Sequence, residues 1–465
     1  MGSSATVADC FSDAATLRHM LRFEAALAEA TAAAGLIPKR AASVIVKACD
    51  ASLYDPAPLA VAARRTATLT VPVVKALTEQ VARRDSKAAN YVHWRATSQD
   101  VIDTAMVLQL GEALPPLLKS LDGIVSAFAR LAKKHRTMPM LGRTLMQPAT
   151  PLALGQKIAG WASDIDRSKR RLVESFGETQ VVQFGGASGS LTALGPEAEQ
   201  VMKALAKRLE LALPPGPWFT QRVRVAAFAQ DCALVVGALA KASRDIALMM
   251  QVEVGEAAEP SGPGRGGSST MPHKRNPVGA ALILSAAARA PMLAATIVAA
   301  MPQEHERALG GWQAEWPTLS ALVECLGSAV EGMAEVASGL VIEPDALQAN
   351  MDAAEAAVLA ERATFLLARK MGKHEAHALV EKALAKGGPF VEALGRLENE
   401  LADEAALLGY SPKFVDRLLA AFGFQDPVPA PAGAAAAASL SADERALLLR
   451  LMPFLADLMG TNAGA

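Results

Sequence analysis

Three long stretches of this chain repeat apolar residues at the spacing of a helix face. Leu154, Ile158, Trp161, Ile165, Leu172 and Phe176 form one seam. Leu319, Val323, Leu326, Val330, Met333, Ala337 and Leu340 form another. Between them, residues 226–251 run without a proline and with a single glycine. Steps of three, four and seven place these side chains on one side of a helix. A helix of about 25 residues is roughly 38 Å long at 1.5 Å per residue. Several helices of that length bury their apolar faces only against one another, which predicts a bundle. Composition agrees: 51% of the 465 residues are hydrophobic but only 5% are aromatic. Alanine, the best helix former, supplies much of that apolar fraction. No β-rich stretch and no internal repeat is visible. The reading is an all-α chain of three helical domains around a central long-helix bundle. Seams this long exceed what one protomer covers, which predicts an oligomer.

Local signals divide the chain further. Met20, Phe23, Leu27, Ala30 and Ala34 mark an early amphipathic helix that Gly35 and Pro38 end. Pro115-Pro116 are expected to interrupt the helix that begins near Asp100, because proline removes backbone donors. Thr150-Pro151 reads as an N-cap followed by proline at the first helical position. The expected domains are 1–110, 111–342 and 343–465, with Pro344 in the first turn of the third. Residues 425–441 read as a Pro/Ala-rich linker before a last helix near 442–459.

Charge and cysteine usage narrow the function. A net charge of −1 gives no general attraction for nucleic acid or anionic membranes. The four cysteines, Cys10, Cys49, Cys232 and Cys325, are widely spaced, without a CxxC pair, and read as buried free thiols. The first residues lack the apolar core of a signal peptide. The apolar stretch 278–300 is broken by Arg289 and Pro291 and reads as a buried helix rather than a membrane span. The expectation is a soluble cytoplasmic protein.

Against this background one segment stands out: GGSSTMPHKRNP, residues 266–277, within a loop spanning 261–277. Two glycines free the backbone beside Ser268 and Ser269, while Pro272 and Pro277 stiffen the second half. Serines can carry or accept protons, and Lys274 and Asn276 can hold a carboxylate. A mobile start and a rigid, cationic end suit a lid over an anionic substrate. Upstream, residues 91–105 place His93, Arg95, Thr97 and Ser98 just before a helix, where unpaired N–H groups favour a carboxylate. The plainer reading is a capped helix start. Residues 140–157 gather Arg143, Thr144 and Gln147 before the next helix, and residues 217–231 bring Arg222 before another. Residues 303–316 carry His305, Glu306 and Arg307 beside Trp312 and Trp316. The Glu306–Arg307 pair reads as a solvated salt bridge.

The loop and the first two of these segments, in this order and spacing, resemble the three motif regions of the fumarase/aspartase superfamily. The resemblance covers nearly the whole chain. Within the superfamily, PHKRNP, QFGGASG (183–189) and EHERALGGWQAEW resemble bacterial 3-carboxy-cis,cis-muconate cycloisomerases. It implies a homotetramer in which each active site draws on three subunits, with no cofactor and no metal. It implies Ser268 as the proton-transfer serine, with Ser269 as the alternate. It further implies that Lys274 and Asn276 hold one carboxylate of a small polycarboxylate, and that Thr97, Ser98, Arg95 and Gln147 hold the others. His93 matches a substrate-contacting histidine of adenylosuccinate lyases, and Arg143, Thr144, Arg222 and His305 are further binding candidates.

Two departures bear on the substrate. Fumarases, argininosuccinate lyases and adenylosuccinate lyases read GRTH where this chain has GRTL, a position at which cycloisomerases tolerate a non-histidine, and Leu145 cannot relay a proton to a leaving amine or hydroxyl. A carboxylate leaving group needs no such proton, which suits lactone chemistry. Cycloisomerases also tend to read WHTQRDR where this chain reads WFTQRVR, from Trp218 to Arg224. The second departure counts against a cycloisomerase, since it removes a His and an Asp beside Arg222, while the motifs and the first departure favour one; the expected activity is lactonisation of 3-carboxy-cis,cis-muconate to 4-carboxymuconolactone in protocatechuate catabolism. The alternatives are a lyase of the same fold releasing fumarate from a substituted succinate, a non-catalytic relative, or a helical binding scaffold.

Overall fold

The computed structural model describes residues 4–262, 264–267, 270–271, 274–386, 390, 401 and 404–424. The chain opens with α1 (Ala5–Cys10), α2 (Asp13–Ala33), α3 (Lys39–Ala48), α4 (Pro56–Thr66) and α5 (Thr70–Arg84). Met20, Phe23, Leu27 and Ala30 lie buried along α2, as their spacing requires. Five long helices form the centre: α6 (Ser98–Lys134), α7 (Leu154–Thr179), α9 (Val223–Met249), α10 (Val278–Ala299) and α11 (Gly311–Gly339), with the shorter α8 (Ala198–Leu209) between α7 and α9. The two seams are buried: Leu154, Ile158, Trp161, Ile165 and Leu172 on α7, and Leu319 through Ala337 on α11. After the bundle come α12 (Pro344–Ala353, with proline at its start), α13 (Glu355–Met371), α14 (Lys373–Lys386), α15 (Glu404–Leu407) and α16 (Ser411–Ala421). The linker and last helix expected beyond residue 424 lie outside the described residues.

The structure departs from the sequence reading at four places. Pro115 and Pro116 do not break a helix, because α6 runs through both as one element of 37 residues. Both prolines are exposed, while Ala113, Leu114 and Leu117 stay buried on the other side and hold the helix in the bundle. Residue 110 lies inside this continuous helix. Secondly, Thr150-Pro151 is not a helix cap. It lies in a hairpin of β1 (Pro139–Thr144) and β2 (Gln147–Ala153), although no β-structure was expected there. Its two-residue turn is Leu145-Met146, with φ of 49° and 67°, the positive angles that two-residue hairpins favour. Helix α7 starts at Leu154 instead, and carbonyls of the short segment between α6 and β1 receive its first N–H groups: Leu154 N to Met138 O at 2.8 Å and Gly155 N to His135 O at 3.0 Å. Thirdly, α10 is not wholly buried. It packs between α9 and α11, with Ile283, Ala290, Ala294 and Ile297 inside, but Leu282, Met292 and Val298 face outward. Its length and composition would suffice to cross a membrane, as would those of α6 and α9. Finally, Cys10, Cys232 and Cys325 are buried and outside any disulfide as expected, whereas Cys49 is only half-buried.

The helices run so that the bundle has two chemically distinct ends. The starts of α6, α9 and α11 meet at one end, where Asp103, Arg222 and Glu315 are bonded together. The C-terminal end of α10 joins them, since a β-carbon on Gly311 would lie 2.9 Å from Ala300 O. The start of α10 lies at the far end, where Gly279 abuts Val336 near the close of α11. The hairpin also lies at the far end, between the close of α6 and the start of α7.

Candidate active site

The first end is built on the start of α6. Thr97 is the N-cap, and Asp100 reaches back to accept the Thr97 N–H at 2.9 Å. The same buried carboxylate accepts Gly185 N at 2.8 Å and Gly186 N at 3.1 Å. Burial pushes Asp100 up to about 7, against the pull of these three N–H donors. The QFGGASG stretch is thereby pinned over the helix start. Gly185 has to be glycine here, because a β-carbon would sit 2.7 Å from the Phe219 ring.

Arg307 closes this end. Its Nη1 donates to Thr97 Oγ1 at 2.8 Å and its Nη2 to Ala187 O at 3.0 Å. Its guanidinium lies over the Phe219 ring, 5.2 Å from the centroid. Its buried Nε has no partner. The sequence reading set Arg307 aside as half of a solvated pair with Glu306. It is instead the cation that joins the α6 start, the glycine-rich segment and the loop before α11. His305, expected nearby as a ligand, is exposed, with φ of 47°.

His93 and Arg95 sit just before Thr97, both with left-handed backbone, φ 54° and 62°. Neither is glycine, so the loop stores strain where the site is built. The His93 Nδ1 lies 2.6 Å from Glu24 Oε1, on the buried side of α2. Burial alone would lower the imidazole, but Glu24, with help from Asp100, offsets this and leaves the His93 pKa raised. Arg95 lies over the Trp94 ring and is otherwise exposed. Ser98 opens α6, half-buried, and its carbonyl accepts from Thr70 Oγ1.

Arg222 is not a substrate ligand. Its side chain has no exposure, and every nitrogen is engaged within the protein. Nε donates to both Glu315 oxygens at 3.0 and 3.1 Å, Nη1 to Asp103 Oδ2 at 2.8 Å, and Nη2 to both carboxylates. Trp312 Nε1 donates to Asp103 at 2.9 Å, and Gln303 donates to Glu315 at 3.0 Å. Burial raises the Glu315 carboxyl, with Arg222 opposing. Asp103, Trp312 and Glu315 thus form a buried scaffold beneath the site.

The remaining candidates lie at the far end of the bundle. Arg143 is not free to hold an anion, since it forks onto the buried Glu256 carboxylate at 2.7 and 3.0 Å. Thr144, Leu145, Met146 and Gln147 make an exposed hairpin tip, with Leu145 96% exposed. The signature loop is tied at its neck by Asn276 N to Gly266 O at 2.8 Å, and Asn276 Nδ2 points back to Gly267 O at 3.4 Å. Glu259 anchors the loop to α10 by accepting Gly279 N and Ala280 N, and it also takes Arg265. Lys274 is exposed. Ser268 and Ser269 lie outside the described residues. Among the described residues no group of three or more His, Cys, Asp or Glu is placed to hold a metal ion.

The structure therefore gathers His93, Arg95, Thr97, Ser98 and Arg307 at one end, and Lys274, Asn276, Arg143 and Gln147 at the other. Helix α10 alone, at 22 residues, spans about 33 Å between them. Sequence reasoning missed Glu24, although a carboxylate one turn from Met20 and Leu27 on an apolar face was a signal.

Known proteins place this architecture. Residues 4–291 match the family model described as Lyase. The chain is 45% identical over 426 residues to the 3-carboxy-cis,cis-muconate cycloisomerase of Bradyrhizobium diazoefficiens, covering 91% of this chain and 94% of that one. It is 38% identical to the nitrosuccinate lyase of Streptomyces davaonensis, covering 87% and 90%. It also superposes on the crystal structure of the 3-carboxy-cis,cis-muconate lactonizing enzyme from Pseudomonas putida with a TM-score of 0.86, at 43% identity, covering 90% and 97%. With its long-helix bundle, its neck-tied GGSSTMPHKRNP loop and these relatives, the chain belongs to the lyase family of the fumarase/aspartase superfamily.

Proposed function

We propose that this enzyme closes 3-carboxy-cis,cis-muconate to 4-carboxymuconolactone. The observation that carries the reading is 45% identity to a cycloisomerase over nine-tenths of both chains. The hairpin tip supports it. A lyase that expels an amine has to protonate it, and Leu145 offers no proton. In lactonisation a substrate carboxylate oxygen attacks an alkene carbon. The displaced π pair moves onto the neighbouring carbon, where an adjacent carboxylate shares the charge, and that carbon takes a proton. A trianion plus one proton becomes a dianion, so each turnover consumes a proton. Donors fixed before the charge develops lower its energy most. The Thr97 cap, the α6 start and Arg307 supply such donors at one end of the bundle, and Lys274 supplies a cation at the other.

The two ends serve one small tricarboxylate only if they come from different protomers. We propose a homotetramer in which the loop and hairpin tip of one subunit complete the α6-start site of another. The outward Leu282, Met292 and Val298 of α10 and the exposed Leu145 and Met146 of the tip support that assembly. In this reading the enzyme takes a small carboxylate as its partner, not nucleic acid or a membrane.

The test is an ultraviolet assay of the conjugated diene, with the product identified by mass and NMR. Loss of the diene to a lactone of unchanged carbon skeleton supports the reading. An inert diene refutes it. Nitrosuccinate is then the next substrate to assay, given the 38% identity to a nitrosuccinate lyase.

A further inference from the structure

Three arginines at the ends of the bundle, Arg143, Arg222 and Arg265, each meet a buried carboxylate, on Glu256, Glu315 and Glu259 respectively. Arg307 does not. Among the described residues it pairs with no carboxylate. Its hydrogen bonds go to the Thr97 hydroxyl at 2.8 Å and to the carbonyls of Ala187 at 3.0 Å and Gly186 at 3.4 Å. Beneath it lies the ring of Phe219. We propose that Phe219 is a positioning residue: its face seats the Arg307 guanidinium and keeps an uncancelled positive charge at the start of α6 for a carboxylate of the substrate. This deepens the proposed function and rests on it.

Packing fixes the ring. Phe219 is 3% exposed. Gly185 and Gly189 leave room for it, since β-carbons on them would stand 2.7 and 3.8 Å from ring carbons. Gln99 Nε2 donates to the Phe219 carbonyl at 2.8 Å and ties its backbone to α6. The guanidinium carbon lies 5.2 Å from the ring centroid, within the reach of a cation–π contact, which strengthens where water is kept away.

Hydrogen bonds alone do not account for where the guanidinium lies, because its Nε is buried without a partner. The negative face of the ring attracts the cation without needing a proton acceptor at Nε. A carboxylate in the same place would hold the guanidinium too, but it would cancel the charge, as Asp103 and Glu315 do for Arg222. A phenyl ring attracts and does not neutralise. Phe219 also stands where cycloisomerases tend to carry histidine, and an imidazole there would repel the guanidinium whenever it is protonated. The charge left over stands beside the Thr97 hydroxyl and the first N–H groups of α6, which favour an anion themselves.

The experiment replaces Phe219 in the full-length enzyme with mono-, di- and trifluorinated phenylalanine and, separately, with leucine. Fluorine draws electron density from the ring face and changes its shape little, so a ring that only fills space is indifferent to the series. Two quantities are read for each variant: kcat/KM for the diene, and the dissociation constant of tricarballylate, an unreactive tricarboxylate. Both should worsen stepwise with added fluorine, and Phe219→Leu should lose roughly 3- to 30-fold in each. In an Arg307→Met background the same series should be flat, since no cation is left to feel the ring. A flat series with Arg307 in place overturns the proposal. So does a trend that persists in Arg307→Met, which would set the ring against the substrate itself. A trend that only follows loss of folded protein in thermal unfolding marks a structural ring and overturns it too. A wild-type enzyme inert toward the diene that binds tricarballylate with the fluorine trend would sink the functional reading alone. An enzyme that closes the diene with a flat series would sink the role of Phe219 alone, and one that neither closes the diene nor binds the tricarboxylate would sink both.

Discussion

Arg222 offers the sharpest test of the scaffold beneath the site. It lies between Asp103 and Glu315, and all three side chains are at most 1% exposed. Two carboxylates and one guanidinium sum to a single negative charge. Arg222→Met removes the only cation, leaving Asp103 and Glu315 facing each other in a dry interior. Breaking a buried pair in this way costs about 3–5 kcal/mol. Glu315→Gln removes the excess negative charge instead. It keeps an oxygen for Arg222 and leaves a neutral Arg222–Asp103 pair, so its cost should stay near 1 kcal/mol. The two variants also differ in pH response. Without Arg222 the carboxyls are raised by burial and by each other above their unfolded values. The folded state then binds protons that the unfolded state has released. Arg222→Met should therefore be weakest at neutral pH and regain part of its stability on acidification toward pH 5. Urea unfolding followed by tryptophan fluorescence reads both effects, since Trp218 and Trp312 touch the cluster. An Arg222→Met midpoint within about 1 kcal/mol of wild type at pH 7 would refute the argument. A gap that widens on acidification would refute it too.

Gly155 and Gly160 share helix α7 but should respond oppositely to alanine. A β-carbon at Gly155 would lie 2.4 Å from Ala132 O and 2.8 Å from His135 O. Gly155→Ala should therefore lose about 1–3 kcal/mol in thermal unfolding. Gly160 has no atom within 4 Å of that position, so Gly160→Ala should gain up to about 1 kcal/mol; equal shifts in the two would contradict the packing. The shared-site arrangement is tested by mixing His93→Gln with Lys274→Met, each nearly inactive alone. Reassembly from mild denaturant should restore activity through sites that draw an intact His93 and an intact Lys274 from different subunits. No recovery, with mixed oligomers demonstrated, would confine each site to one chain.

Periodicity exposed the bundle because burial of an apolar face is written locally, in the spacing of Leu154, Ile158 and Trp161 or of Leu319, Val323 and Leu326. The hairpin stayed hidden. Thr150-Pro151 has the chemistry of a helix start, but the first N–H groups of α7 bond to Met138 and His135 carbonyls. No local signal reports partners contributed by the segment on the far side of the hairpin. Pro115-Pro116 misled for a related reason, since the packing of Ala113, Leu114 and Leu117 that carries α6 through them is tertiary and leaves no local signal. The motif residues were legible as a set but not by role. Arg222, Asp103 and Glu315 each sit in a recognisable segment, and all three proved to be scaffold. Arg307 proved to be the cation at the site end. The difference lies in burial, which depends on how the starts of α6, α9 and α11 converge.

That convergence underlies the proposal that the signature loop of one subunit serves the site of another. A helix long enough to bury a continuous seam also separates what stands at its two ends, by about 33 Å for α10. The antiparallel bundle places Thr97, His93 and Arg307 at one end and Lys274 at the other, and no small carboxylate reaches across. In the proposed assembly a second copy, turned end for end against the first, brings the ends together, and the outward Leu282, Met292 and Val298 of α10 give such a copy an apolar face to meet. Stability and catalysis then depend on the same contact. A charge introduced by Met292→Lys, on the exposed face of α10, should leave the protomer folded while shifting the oligomer toward smaller species and lowering turnover in step. Full activity in a verified monomer would break the link between helix length and site assembly on which the shared-site proposal stands.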